Sequence, residues 1–178
     1  MFWYSFFIIF LPLIGAFLLL FVKPNSKRLF TNFIANTSIG ISMIFSIILF
    51  IKFLFNPDIS NSFELYTWIH SDKFVFSLGI LVDSLSVFMA FVVTSVSFLV
   101  HVYSVGYMDK DEGYNRFFIY TTFFTFAMLL IVFSNNFLQL FIGWELVGLS
   151  SYLLIGFWVH KETAIAANLK AFIVNRIG

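Results

Sequence analysis

Glu145 stands in the middle of Phe137-Leu-Gln-Leu-Phe-Ile-Gly-Trp-Glu-Leu-Val-Gly-Leu-Ser-Ser-Tyr-Leu-Leu-Ile-Gly-Phe157, a run otherwise apolar and long enough to cross a bilayer. An ionised side chain at the centre of a membrane helix costs about 2.5–3.5 kcal/mol on insertion scales. Such a group persists there when it pairs, titrates or conducts. Low dielectric disfavours the charged form, which lets a buried carboxyl exchange protons near neutral pH. The simpler alternative is an ion pair or hydrogen bond that ties two helices together. On a helix, Gly148 and Tyr152 share the Glu145 face at i+3 and i+7. Gly148 lets a neighbouring helix or water come close, and Tyr152 offers a hydroxyl or simply packs.

Four other positions carry comparable potential. Lys170 and Arg176 lie six residues apart in a helix-prone, mostly small and apolar segment, so they point in different directions. Either suits a water-lined path or biases the proton affinity of a nearby acid. Equally, each suits snorkelling at a helix end. His101 closes a long apolar run and titrates at a useful pH, although a lone histidine on such a helix is more often a packed, hydrogen-bonded residue. Asp83 opens the same run and reads best as a helix cap. Asp109, Asp111 and Glu112 form the most charged connector and read as a solvated loop. The chain contains no nucleotide loop, nucleophile elbow or metal-ligand spacing, and His70, His101 and His160 are scattered.

These residues need helices to hold them, and the composition says in what solvent. Of 178 residues, 61% are hydrophobic, 11% are charged and 28 are phenylalanine. Soluble domains carry roughly 45–50% apolar residues and about 25% charged ones, so most of this chain meets lipid. A net charge of +1 argues against a nucleic-acid partner, and the lack of cysteine excludes disulfides, thiolate zinc sites and iron–sulfur ligation within the chain. Met1–Val22 lacks the basic start and small-residue cleavage site of a signal peptide and reads as a first span. Five stretches are long enough to cross, at about 20 residues each. They are approximately Phe2–Val22, Phe30–Phe55, Leu81–Tyr103, Phe117–Phe133 and Phe137–Trp158. The polar connector Asn56–Phe76 holds the β-leaning run Phe63-Glu-Leu-Tyr-Thr-Trp-Ile69, suited to a small strand or hairpin. Ser134-Asn-Asn136 reads as a tight turn that makes the fourth and fifth spans antiparallel. The predicted fold is an all-α, polytopic transmembrane helix bundle of about five complete spans plus the start of a sixth, with a small extramembrane β-like connector.

At this point three motifs carry a resemblance. Arg116-Phe-Phe-Ile-Tyr120, the segment from Asn135 through Trp-Glu145 to Trp158, and Lys170-Ala-Phe-Ile-Val-Asn-Arg-Ile-Gly178 are similar to the antiporter-like subunits of respiratory complex I. Leu-Pro-Leu-Ile-Gly15, Val82-Asp-Ser-Leu-Ser86, His101-Val-Tyr-Ser-Val-Gly-Tyr-Met108 and Glu112-Gly-Tyr114 agree. The Trp-Glu pair is shared with sister subunits and with Mrp-type antiporters, whereas the following Val-Gly-Leu-Ser-Ser-Tyr resembles NADH:ubiquinone oxidoreductase chain 5, called chain L in bacteria. Ser150 stands where many relatives have a small thiol.

The resemblance implies a much longer family protein with paired inverted helical repeats. Residues 1–116 would be the N-terminal helices and connectors, and 117–178 the incomplete start of the first repeat. Glu145 matches the family's essential glutamate, the proton relay, which works with a lysine two helices later that has no counterpart here. Lys170, Arg176 and His101 are the secondary candidates. Half of such a pair cannot run a relay alone, so a completing chain, as in a subunit split into two pieces, is expected. No cofactor is expected in this chain. NADH, FMN, iron–sulfur clusters and ubiquinone are expected in other subunits. The expected partners are the completing chain, other membrane-arm subunits of complex I and lipids, but no nucleic acid. The expected location is the mitochondrial inner membrane, with the bacterial plasma membrane as the alternative. An Mrp-type Na⁺/H⁺ antiporter component and a purely structural scaffold are the rival readings.

Charge distribution sets an orientation. Lys23, Lys27, Arg28, Lys110, Arg116 and Lys161 fall in the first, third and fifth connections, so these face the cytoplasm or matrix. Single cysteines placed at 23–28 and 106–116 are expected to react with an impermeant reagent from that side, and cysteines at 56–76 from the other. Labelling of all three from one face refutes five spans.

Overall fold

The computed structural model describes residues 1–22, 28–56, 60–71 and 74–177. Six helices and one hairpin follow in the order α1 Phe2–Leu20, α2 Arg28–Phe55, β1 Asn61–Ser71, β2 Phe74–Val82, α3 Ser84–Tyr107, α4 Tyr114–Val132, α5 Phe137–Ile155 and α6 Glu162–Ile177. Among the described residues, α1 to α5 are long and apolar enough to cross a membrane. At 28 residues, α2 is about 42 Å long and exceeds a hydrocarbon core of about 30 Å, so it tilts or projects. Lys23 and Lys27, and with them most of the first connection, lie outside the described residues, as does Lys73 in the second.

Helices α1 to α4 interlock. α1 packs on α2 and α4, and α3 packs on α2 and α4. α5 is added to the outside of α4, and α6 to α5. Without a hydrophobic drive between helices in lipid, close approach and hydroxyl contacts hold such bundles together. The structure uses both. Gly15 of α1 lies against Ser38 of α2, where a Cβ would sit 2.7 Å from the serine Cβ. Ser42 Oγ donates to the Ile8 carbonyl at 2.6 Å, and the Ser46 and Thr94 hydroxyls meet at 2.7 Å between α2 and α3. Apolar clusters close the two ends. Ile8, Leu49, Phe53, Ile80, Val82, Phe126 and Phe133 join at the hairpin end, and Leu19, Ala35, Met108, Tyr114, Phe118 and Phe157 join at the other. Large apolar side chains such as Phe17, Phe33, Ile44 and Leu99 are exposed on the outside, as lipid contact allows.

Several expected boundaries move: the third span ends at Tyr107 rather than Tyr103, the fourth starts at Tyr114 rather than Phe117, and two further shifts have a reason in the contacts. The third span was expected from Leu81, but Leu81 and Val82 end a strand. The run Phe74–Val82 pairs antiparallel with β1 and buries Ile80 and Val82 in the apolar cluster. The helix starts only where Asp83 and Ser86 form a capping box: the Ser86 N–H donates to Asp83 Oδ1 at 2.7 Å, and the Asp83 N–H to Ser86 Oγ at 2.9 Å. Asp83 is therefore a cap, as its position suggested. The fifth span was expected to reach Trp158 but stops at Ile155. Beyond Gly156 the chain is captured by the α3–α4 connector, since Arg116 donates to the Phe157 carbonyl at 3.2 Å and Trp158 Nε1 donates to Asp111 Oδ2 at 3.0 Å. Asp111 is more than loop surface: the Trp158 indole, then the Gly113 N–H at 2.7 Å, then the charge of Arg116 hold its carboxyl below the usual range.

Gly15→Val pushes α1 off α2 and is expected to destabilise the bundle by about 1–3 kcal/mol. Gly106→Ala, whose Cβ meets nothing within 4 Å, is expected to be neutral. The thermal midpoint of the detergent-extracted protein, read for both variants, checks this.

Candidate functional site

Glu145 sits near the centre of α5, and the helix begins where the Ser134–Asn136 turn places it. Asn136 has extended backbone and caps the helix: its side-chain oxygen accepts the Gln139 N–H at 2.9 Å. Gln139, Gly143 and Ser150 are the buried positions of α5. Gly143 abuts Ile131 of α4, where a Cβ would come within 2.7 Å of the isoleucine Cγ1. The Glu145 face is therefore turned away from α4.

That face receives α6. Going up α5 through residues 145, 148 and 152, the opposing residues of α6 are 176, 175 and 172, an antiparallel register. Glu145 and Arg176 form an ion pair, with side chains 25% and 42% exposed. Gly148 has no side chain to keep Asn175 away, and the Asn175 amide occupies the space a Cβ would need. Tyr152 meets Phe172 edge-on at 5.4 Å between centroids. The Arg176 guanidinium also lies 5.0 Å from the Phe172 ring centre, a cation–π contact that fixes its reach. Beside the pair, a groove of 540 Å³ between α5 and α6 is lined by Trp144, Gly148, Ser151, Tyr152 and Asn175, among others. Its lining is mostly apolar, and neither Glu145 nor Arg176 is among its lining residues.

The partner of Glu145 corrects one expectation. A cation from beyond this chain was anticipated, and Arg176 supplies one from within it. Lys170 is not brought to the same place. It is exposed on α6, about 240° around the helix from Arg176, and pairs with no acid among the described residues.

His101 belongs to a separate arrangement between α3 and α4. It is 1% exposed. Nδ1 lies 2.8 Å from the Ser97 carbonyl, which accepts only, so the proton resides on Nδ1. Nε2 then faces the Thr122 hydroxyl at 3.1 Å and accepts from it when the ring is neutral. Ser97 and Thr125 hydroxyls meet at 2.5 Å alongside, and Phe118 covers the ring at 5.9 Å between centroids. The contacts of Gln139 and Asn175 escaped the sequence reading. Both are amides interrupting apolar helical runs, and that pattern was the available signal.

The chain is a helical membrane bundle in which a carboxylate near the middle of α5 is paired with a guanidinium of α6. Its fold agrees with a chain of the membrane-bound sulfane sulfur reductase, an archaeal respiratory membrane complex: TM-score 0.80 at 16% identity, over 95% of this chain and 33% of that one. Residues 68–118 match the family described as NADH-ubiquinone oxidoreductase (complex I), chain 5 N-terminus. Residues 134–178 match the transmembrane family of NADH:quinone oxidoreductase and Mrp antiporters. NADH-quinone oxidoreductase subunit L of Rickettsia bellii is 45% identical over 172 residues, covering 96% of this chain and 26% of the relative. NADH-ubiquinone oxidoreductase chain 5 of Marchantia polymorpha is 43% identical over 171 residues, with 96% and 25% covered. Subunit L of Neisseria meningitidis is 54% identical over 116 residues, with 65% and 17% covered. The chain belongs to the antiporter-like membrane subunits of complex I, in the chain 5 or subunit L family, and spans about a quarter or less of the length of these relatives. It is a multi-pass membrane protein of that family's membrane arm.

Gly148→Val is expected to displace Asn175 and open the Glu145–Arg176 pair without disturbing α1–α4. A cysteine pair at positions 148 and 175 tests the approach independently: it should cross-link under mild oxidation in native membranes, and failure to do so removes this register.

Proposed function

We propose that this chain contributes to proton translocation coupled to quinone reduction in the membrane arm of NADH:quinone oxidoreductase, with Glu145 as the proton-exchanging group. The observation that carries this reading is the pairing of Glu145, near the middle of the apolar helix α5, with Arg176 of α6. A guanidinium cannot give up its proton, so Arg176 serves as a fixed positive charge that favours the carboxylate. When Arg176 swings away or is drawn to another anion, the ionised carboxyl loses its support and takes up a proton. When the cation returns, the proton is released. Glu145 moves the proton, and Arg176 sets when.

Lys170 points away from that pair and acts toward the remainder of the subunit, where it adds positive potential near the path. His101, with its proton on Nδ1 and Thr122 at Nε2, forms a second titratable point in the α3–α4 seam. Residues 1–116 serve as the frame and 117–178 as the opening of a repeat whose further helices complete the path. This chain carries no redox centre in the proposal. NADH, FMN, iron–sulfur clusters and ubiquinone act in other subunits. Its partners are the remaining part of the subunit, neighbouring membrane-arm subunits and lipid. The mitochondrial inner membrane is the proposed location, with the bacterial plasma membrane as the alternative; the plant relative supports the first and the bacterial relative the second.

A second reading has one observation behind it: the family matched by residues 134–178 also covers Mrp antiporters. Co-purification of the chain with NADH dehydrogenase activity separates the two.

Glu145→Gln preserves size and hydrogen bonding but removes the titratable proton. The variant complex is expected to assemble and to move far fewer protons per NADH oxidised in sealed vesicles. Glu145→Asp should retain part of the activity, because water bridges one lost methylene. An assembled Glu145→Gln complex that pumps at the wild-type ratio makes Glu145 a structural residue and the chain a scaffold.

A further inference from the structure

The hairpin and the start of α5 are joined more tightly than a surface connector requires. Gln139 is 3% exposed, and its Oε1 accepts the backbone N–H of Gly79 in β2 at 3.0 Å, in a buried setting. The strand register slips between Glu64 and Tyr66, next to Gly79. Among the described residues β2 has a partner strand on one side only, so the backbone groups of Ser77, Gly79 and Leu81 on its other edge are free to bond elsewhere. Gln139 takes the one at Gly79. One residue pair further along, Asn136 Nδ2 donates to the Ser77 carbonyl at 2.6 Å. On the other side, the Leu81 N–H donates to the carbonyl of fully buried Phe133 at 3.0 Å. A Cβ on Gly79 would lie 2.8 Å from the Phe63 carbonyl oxygen and 2.7 Å from Asn135 Cγ, so strand and turn are in direct contact. Three hydrogen bonds thus fasten β2 to the α4–α5 turn.

We propose that Gln139 is a positioning residue for Glu145: through Gly79 it locks the rotation and depth of α5, and so the side on which Glu145 faces α6. This rests on the proton-exchanging role given to Glu145. On the helix the two side chains are about 9 Å apart along the axis and about 240° around it. One can therefore be clamped in protein while the other faces Arg176 of α6. α6 is unsuited to the task, because none of its residues is buried in this chain. Gly143 on Ile131 fixes how close α5 lies to α4, and a glycine contact resists rotation poorly; the Arg116 and Asp111 contacts hold the chain only beyond Gly156, at the far end of the helix. The amide–backbone bond at Gln139 has the directionality that the glycine contact lacks.

The test is made on the assembled complex in native membranes. The protonated carboxyl of Glu145 is read by difference infrared spectroscopy, its band assigned by its disappearance in Glu145→Gln. Gln139→Met keeps length and apolar packing but removes the acceptor for Gly79. The Glu145 titration midpoint should then move by about one pH unit, the scale on which altered charge contacts act. Proton uptake should fall by up to about a hundredfold, as misplacement of order one ångström can do for positioned groups. If Gln139→Met does not assemble, Gln139→Asn, which is polar but too short to reach Gly79, carries the same expectation. A wild-type midpoint in either assembled variant overturns the positioning role, even if less complex accumulates. Because the band reports geometry whether or not Glu145 pumps, wild-type pumping by Glu145→Gln defeats the proton-exchange reading and leaves the midpoint result to decide Gln139.

Discussion

Hydrocarbon offers no water to a polar group, and nearly every feature of this chain follows from that shortage. Backbone groups in the spans are satisfied inside helices. Most interior hydroxyls either bond back to the preceding turn, as Thr94 does to the Ala90 carbonyl at 2.7 Å, or reach across to a neighbour, as Ser42, Ser46 and Ser97 do, while the buried Ser95 hydroxyl has no partner among the described residues. The crossing bonds pin α1 to α2, α2 to α3 and α3 to α4. With those pairs satisfied, the outside is free to be phenylalanine and leucine against lipid. His101 obeys the same rule: both ring nitrogens have partners, so a group that burial would otherwise penalise is accommodated within the frame.

The charged pair shows where this rule is relaxed. Glu145 and Arg176 satisfy each other, yet both remain partly exposed, and Arg176 rides on a helix with no buried residue. A pair between a rigid helix and a weakly held one is easier to open than a pair between two core helices. That asymmetry suits the proton-exchanging role proposed for Glu145. It also divides the chain physically: α1–α4 and the hairpin supply a fixed reference, α5 is fastened to it at one end, and α6 presents the adjustable charge.

The connectors are part of this division. On one side, β2 is fastened to the α4–α5 turn. On the opposite end of the bundle, Asp111, Arg116, Phe157 and Trp158 fasten the α3–α4 connector to the end of α5. α5 is thus held at both ends by polar contacts outside the hydrocarbon, where they are inexpensive to form, and left open along its middle.

Much of this was legible in the chain itself because it depends on composition and period. Runs of about twenty apolar residues demand spans, a carboxylate in the centre of one demands a partner, Asn-Asn between two spans demands a turn, and Asp83 three residues before Ser86 spells a cap. None of that needs distant residues. What required the tertiary structure were the pairings between segments far apart in sequence. Whether Leu81 continued a helix or ended a strand depended on β1 being available to pair. Whether α5 ran on past Ile155 depended on Arg116 and Asp111 capturing the residues beyond it. That Arg176 rather than Lys170 meets Glu145 depended on the antiparallel register of α6, which Gly148 permits by lacking a Cβ. Local pattern determines which groups must find partners, but only the packed chain decides which partners they find.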